Sequence, residues 1–214
     1  MARRMTVTVE EVCEGLWLWR QPHPAWDAEA DWEPEVSSYA VTSRGTRWIV
    51  DPLAPPPSAR EAWERIDAHG ADALAVLKPD HVRDVDLFAR WYGGSAYGPS
   101  LFWPGDVPRT QLEQLWPGRE LPGGLVALHD GRGMQETPLY LPEQRAILFA
   151  DALTAPGGEL RVWRTPWHEE RVLPALRALL ALDFAHVLVS HGAPVHDRAA
   201  FEAALEREPH GELE

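Results

Sequence analysis

The sequence predicts an α+β fold in which two mostly antiparallel sheets carry helices on their outer sides. Three observations support this. The elements run strands, helix, strand, helix, strands, helix, strand, helix, which is not the strict alternation of a doubly wound sheet. Strand text at the start alternates apolar with polar positions, whereas residues 71–77 and 186–190 are short continuous apolar runs, as buried strands are. The 214 residues are 45% hydrophobic and 25% charged, enough for a sizeable core in one domain spanning 1–214.

Each element has its own local reason. Residues 6–12 alternate, turn at Glu14-Gly15, and continue as Leu16-Trp-Leu-Trp-Arg20. The loop 21–35, QPHPAWDAEADWEPE, holds prolines that argue against regular structure. Residues 38–42 and 47–50 read as a hairpin around Ser43-Arg-Gly-Thr46, ended by Asp51-Pro52. Ser58-Ala-Arg-Glu61 has capping-box spacing and opens a helix that Gly70 closes. A strand over 71–77 and a helix over about 80–92 follow, and Gly93-Gly94 ends the helix. After a Pro/Gly-rich stretch come a short helix over 110–116 and strands over 125–129, 137–141 and 145–149. A helix over 167–182 should kink or restart at Pro174, since proline costs ~3 kcal/mol in a helix interior. A strand over 186–190 and a helix over 197–206 complete the chain, and Leu213-Glu214 read as an appended tail.

Composition narrows the function classes. Twenty basic against 33 acidic residues give a formal charge of −13, which repels phosphate backbones, so nucleic acid is not an expected partner. No apolar run approaches the ~20 residues of a membrane span. The opening residues 1–12 lack the apolar run of a signal peptide, so a cytoplasmic location is the default. The single cysteine, Cys13, reads as a small buried hydrophobe and allows no internal disulfide. Eleven tryptophans are many for this length, and Trp17, Trp19, Trp26 and Trp32 crowd the first 32 positions. They read as packing first, and second as an aromatic lid or partner surface.

Polar residues cluster at strand ends. Asp51 follows Trp48-Ile-Val50, and Lys78-Pro-Asp-His81-Val-Arg83-Asp84 follows residues 73–77. Asp151 follows Ala146-Ile-Leu-Phe-Ala150, and His191-Gly192 follows Val187-Leu-Val-Ser190. Groups gathered along one sheet edge build a cleft, and histidines with aspartates there can ligate a divalent metal. Asp51 reads as shaping its turn, Asp80 as a helix cap and Lys78 as solvated. His129, His168, His186 and His196 read as surface or capping groups.

In order and spacing, residues 5–207 resemble the metallo-β-lactamase superfamily. The landmarks are Ile49-Val-Asp51-Pro52, the segment 74–84, Leu139-Tyr-Leu-Pro-Glu143 with 147–153, and Val187-Leu-Val-Ser-His191-Gly192. The resemblance implies a four-layer αββα sandwich and a dinuclear metal site that activates a hydrolytic water. The family's ligand string H-x-H-x-D-H falls on Pro79 to Asp84 and survives in part. Pro79 stands at its first histidine, His81 matches the second, Arg83 stands at the aspartate, and Asp84 replaces the last histidine. The next histidine falls near Gly131-Arg-Gly133, where none exists, with His129 close by. Asp151 matches the bridging aspartate and His191 the late histidine.

An arginine charge ~5 Å from a divalent ion, at an effective dielectric of ~20, opposes it by ~6–7 kcal/mol. Arg83 is therefore expected to replace a metal as the cation beside Asp151, in a cleft of His81, Arg83, Asp84, Asp151 and His191. The first expectation is an eroded dinuclear site serving as a small-molecule or protein-binding module, or keeping residual activity, with no cofactor. The second is a mononuclear hydrolase of a small ester, lactone or thioester. In it one zinc, iron or manganese ion sits on His81, Asp84, Asp151 and His191, and Asp84 or Asp151 is the catalytic proton acceptor. The third is a scaffold that forms a homo-oligomer through its Trp-rich face.

Overall fold

The computed structural model describes residues 6–30, 32–133 and 135–211. The start of the segment read as lacking a signal peptide, residues 1–5, and the tail Leu213-Glu214 lie outside the described residues. Two sheets face one another. The first has seven strands in chain order: β1 (Thr8–Cys13), β2 (Leu16–Pro22), β3 (Glu35–Ser43), β4 (Thr46–Val50), β5 (Ala73–Ala75), β6 (Ser95–Gly98) and β7 (Glu113–Gln114). The second holds β8 (Val126–Ala127), β9 (Leu139–Leu141), β10 (Ala146–Phe149) and β13 (His186–Val189), in the order β13-β10-β9-β8. A small ladder pairs β11 (Leu153–Thr154) with β12 (Arg161–Val162). The first sheet is mixed rather than mostly antiparallel, because β4 to β7 are joined in parallel. The connections from β4 to β5 and from β5 to β6 run through α1 (Arg60–His69) and α2 (Val85–Tyr92), the long crossovers that parallel neighbours require.

Alternation along β2 explains the four layers. Leu16 and Leu18 point between the sheets, into a core with Trp48, Leu139 and Leu148. Trp17 and Trp19 point outward into a second core with Ile66 and Phe88 of α1 and α2, and the Trp19 ring lies 6.2 Å from that of Phe88. On the far side of the second sheet, Ile147 and Phe149 meet α3 (Leu173–Ala178) and α4 (Arg198–Ala204) through Leu176 and Phe201. The layers are therefore α, β, β, α. Tyr39 of β3 crosses between the sheets and donates its hydroxyl proton to the Val189 carbonyl of β13 at 2.7 Å. Trp17 and Trp19 of the Trp-rich segment are buried, as the packing reading expects. Among the described residues no helix is long and apolar enough to cross a membrane.

Several elements differ from the sequence reading. The capping box at Ser58 does not form, because the triproline loop turns through Ala59, whose N–H reaches Pro56 O, and α1 starts two residues later without a side-chain cap. Gly70 closes α1 with φ +63° and its N–H on Ile66 O, as expected. The second helix begins at Val85 rather than near 80, since Arg83 takes φ +44° and breaks the helical path. The segment 78–84 is thereby free to line the sheet edge. Residues 110–116 form the edge strand β7 and its flanks, not a helix. The Asp86 carboxylate accepts the N–H groups of Arg109 and Thr110 at 3.0 and 2.8 Å and holds the chain extended beside β6. The expected break at Pro174 is seen as a restart: residues 168–172 form a wider π-helical turn, and α3 begins anew at Leu173 with Pro174 in its first turn, where a missing N–H costs no bond. Cys13 is half-buried against the inter-sheet core.

Two substitutions test this packing in chemical denaturation. Phe201→Ala is expected to lower the unfolding free energy by about 3–5 kcal/mol, the cost of a large cavity. Tyr39→Phe, which removes only the bond between the sheets, is expected to cost about 1 kcal/mol. Equal losses would show that the second sheet is not packed as described.

Candidate metal centre

The edge where β4, β5, β10 and β13 end carries the site. Asp51, directly after β4, adopts φ +47°, a strained conformation for a residue with a side chain. Its Oδ1 accepts the Leu77 N–H and its Oδ2 lies against His81 Nδ1, both at 2.8 Å. That contact turns His81 Nε2 toward Asp151, 3.3 Å from Oδ1. His191 Nε2 lies 3.3 Å from the same oxygen. Asp51 therefore does more than shape a turn: it sets the direction of the histidine ring. Nothing in the sequence order separated that role from a plain Asp-Pro turn.

Asp151 is itself fixed from behind. The fully buried Glu136 accepts the backbone N–H groups of Ala150, Asp151 and Ala152 at 2.8, 2.8 and 2.7 Å. Sequence reasoning missed Glu136, whose only signal was an acid placed just before an apolar strand. Burial, reinforced by the nearby Asp130, pushes its carboxyl up to about 7, against the pull of Arg132. Lys78 holds the other Asp151 oxygen, with Nζ 2.6 Å from Oδ2 and 2.6 Å from Asp80 Oδ2. It is not solvated as expected, because residues 78–84 fold inward along the edge, and Asp80 pairs with Lys78 instead of capping a helix. Burial alone would lower the lysine's proton affinity, but the Asp151 and Asp80 charges win and push it up to about 12. For Asp151, burial is outweighed by His81, Lys78 and His191, which hold its carboxyl well below the usual carboxylate range. For His81, burial is likewise outweighed by the Asp151 and Asp51 charges, and its pKa rises to about 9.

The expected pairing of Arg83 with Asp151 does not form. The guanidinium turns into the cavity, but its Nη1 donates to the Ser37 and Asp51 carbonyls at 2.8 and 2.9 Å, and Lys78 is the cation on Asp151. Asp84 is not brought to the centre either. Its Oδ2 accepts the Ala54 N–H at 2.7 Å and fixes the loop after β4 on the other side of Arg83. His129 is exposed and does not line the cavity. Among the described residues, the donor atoms that converge are those of His81, Asp151 and His191.

The two histidine–carboxylate separations have the dimensions of a coordination shell. An ion bound at about 2.0–2.1 Å in tetrahedral geometry separates its ligand atoms by about 3.3 Å. The two histidine nitrogens stand at that distance from Asp151 Oδ1, which is sealed from solvent yet engages neither in a hydrogen bond of proper geometry. The donor set, two imidazoles and one carboxylate, suits zinc, iron or manganese. In front lies a cavity of about 590 Å³, walled partly by Trp32, Trp163 and Trp167. The Trp32 ring meets that of His191 edge-on at 5.0 Å, so this one member of the Trp-rich segment covers the cleft. The loop carrying it begins at His23, whose ring packs edge-on against Trp32 at 5.5 Å. Burial, then the positive charges of Arg83 and the site histidines, lower the His23 pKa to about 4.

No protein-family model matches the chain, and no curated protein does. Solved structures do. The DIM-1 metallo-β-lactamase superposes with a TM-score of 0.67 at 15% identity, over 95% of this chain and 97% of that one. The metallo-β-lactamase FIM-1 from Pseudomonas aeruginosa, solved in its mono-zinc form, gives 0.66 at 16% identity over 94% and 93%. A metallo-β-lactamase from Erythrobacter litoralis gives 0.66 at 15% identity over 94% and 95%. Identities this low show the fold alone, and that fold is the αββα sandwich the landmark order implied.

Two outcomes check this description. Glu136→Ala strips three buried N–H groups of their acceptor and is expected to cost about 3 kcal/mol or more in unfolding free energy, where a loss near zero would remove Glu136 from its place behind Asp151. His23 in the folded chain refuses a proton that the unfolded chain binds. Its contribution is therefore intact above pH 6.5 and is lost as the pH falls toward 4. Unfolding curves for the native chain and His23→Asn should diverge over that window; parallel curves would contradict it.

Proposed function

Starting from a metallo-β-lactamase fold with one converging donor set, we propose that this chain is a hydrolase working with a single divalent ion on a small ester, lactone or thioester. The observation that carries the reading is Asp151 Oδ1, buried, without a hydrogen bond, and 3.3 Å from the Nε2 atoms of both His81 and His191. His81, Asp151 and His191 would hold the ion. When bound, it would lower the pKa of a water and polarise the carbonyl under attack.

The chain's own residues account for a single ion rather than two. Pro79 offers no donor and Arg83 brings a positive charge into the cavity, so the second position has lost its ligands and gained repulsion. Asp51 would keep a proton on His81 Nδ1 when the one on Nε2, which faces Asp151, gives way to the ion. Glu136 fixes the Asp151 backbone, and Lys78 fixes its rotamer through Oδ2. An ammonium has three donors, and Lys78 spends two on Asp80 and Asp151, leaving one for a substrate oxygen. Asp151 is committed to the donor set, so Asp80 is the cavity carboxylate left to accept the proton of the attacking water, in place of Asp84, which does not line the cavity and is taken by the Ala54 N–H. Trp32 excludes bulk water above His191.

A second reading is favoured by one contact, the 2.6 Å pair of Lys78 Nζ with Asp151 Oδ2. A built-in cation already neutralises the carboxylate, as in a metal-free binding module derived from a hydrolase fold. Elemental analysis and turnover separate the two. The hydrolase reading expects about one equivalent of zinc, iron or manganese per chain, loss of that ion in His191→Ala, and hydrolysis of aryl esters, lactones or thioesters that chelation abolishes and added metal restores. No retained ion and no metal-dependent turnover would overturn it in favour of the binding module.

A further inference from the structure

The cavity gathers cations although the chain as a whole is acidic. The formal charge of the chain is −13, yet among the described residues the cavity is lined by Lys78, Arg83, Arg132 and Arg164 beside the acids Asp80 and Asp151. Three of these cations are engaged. Lys78 is shared by the two carboxylates. Arg164 binds the Glu208 carboxylate at 2.6 Å and the Gly211 carbonyl at 3.0 Å. Arg132 faces the buried Glu136 at 3.4 Å. Arg83 is different. Both of its bonds leave Nη1 and end on backbone carbonyls, which fix the direction of the side chain without cancelling its charge. Among the described residues its Nε and Nη2 have no partner, and neither is sealed from solvent. A guanidinium pinned by one nitrogen, with its remaining edge open to a cavity, is a preorganised fork for a planar anion.

We propose that Arg83 anchors a carboxylate at the non-reacting end of the substrate, whose apolar body lies against Trp32, Trp163 and Trp167. The substrate class is then a small carboxylated ester, lactone or thioester. A carboxylate fits better than a phosphate, because one open guanidinium edge matches two coplanar oxygens, and a phosphate dianion would call for a second unengaged cation. The Arg83 charge, which among the described residues no side-chain carboxylate hydrogen-bonds, draws such an anion toward the centre against the general repulsion of an acidic chain. This assignment rests on the reading of the cavity as the substrate site.

Calorimetric titration of the chelator-treated full chain tests it, with 3-phenylpropanoate, its neutral amide 3-phenylpropanamide, and phenyl phosphate as probes. The acid is expected to bind about tenfold or more tightly than the amide. Arg83→Gln should erase that ratio and Arg83→Lys should keep part of it. Equal affinities, binding of neither probe, or a ratio that survives in folded Arg83→Gln protein would overturn the proposal. Tighter binding of phenyl phosphate than of the acid would overturn the carboxylate assignment. The acid-to-amide ratio is read on the native chain, so it decides even if Arg83→Gln does not fold. No ion takes part, so a missing ratio leaves ion uptake intact, and missing ion uptake leaves the ratio intact.

Discussion

The centre depends on how Asp151 is held. A carboxylate facing two imidazoles could relax in several ways: by rotating toward Lys78 alone, by accepting a hydrogen bond from one ring, or by moving out to water. Glu136 prevents this by taking the three consecutive N–H groups of Ala150, Asp151 and Ala152, which fixes the backbone where β10 ends. Lys78 then locks one oxygen and leaves the other aimed between the rings. The cost is a buried acid, Glu136, beside a second one, Asp130, whose Oδ2 lacks a partner. Folds tolerate such a charge cluster where a functional group must be placed accurately.

The histidines come to Asp151 from opposite sides of the sandwich. His81 is delivered by the loop after β5 and oriented by Asp51 from the end of β4, so the first sheet supplies one donor. His191 follows β13, and its carbonyl accepts the Ala155 N–H and the Thr154 hydroxyl, so the second sheet supplies the other. The Tyr39–Val189 bond ties β13 to β3, the neighbour of the strand that ends in Asp51. Registry between the sheets and spacing within the donor set are therefore one constraint. Gly192 belongs to it as well: φ is +120° there, and a Cβ would approach the Ala155 backbone oxygen to 2.6 Å, so the chain can turn past β11 only as glycine.

The fold was legible because its signals are distributed. The Leu-Trp-Leu-Trp run, the apolar strands and the polar groups that follow them each survive local irregularity, and their order implied the sandwich even where helix starts were misplaced. The site was legible only in outline. His81, Asp151 and His191 were visible as strand-end residues in the family's spacing. Partners chosen by three-dimensional approach were not. Arg83 and Lys78 exchanged their expected roles because the path of residues 78–84 is set by a positive φ at Arg83, which a sequence window reads as helix. Asp84 looked like a donor by position, but the same turn sends it to the Ala54 N–H. Glu136 acts through backbone N–H groups some fifteen positions along the chain, and no local pattern marks such a contact.

The most direct test of the account is anomalous diffraction at the zinc edge from crystals grown with zinc. A single peak about 2.0–2.1 Å from His81 Nε2, Asp151 Oδ1 and His191 Nε2 is the expected result. Two peaks bridged by solvent, or no peak with Lys78 still seated on Asp151, would contradict a single-ion centre.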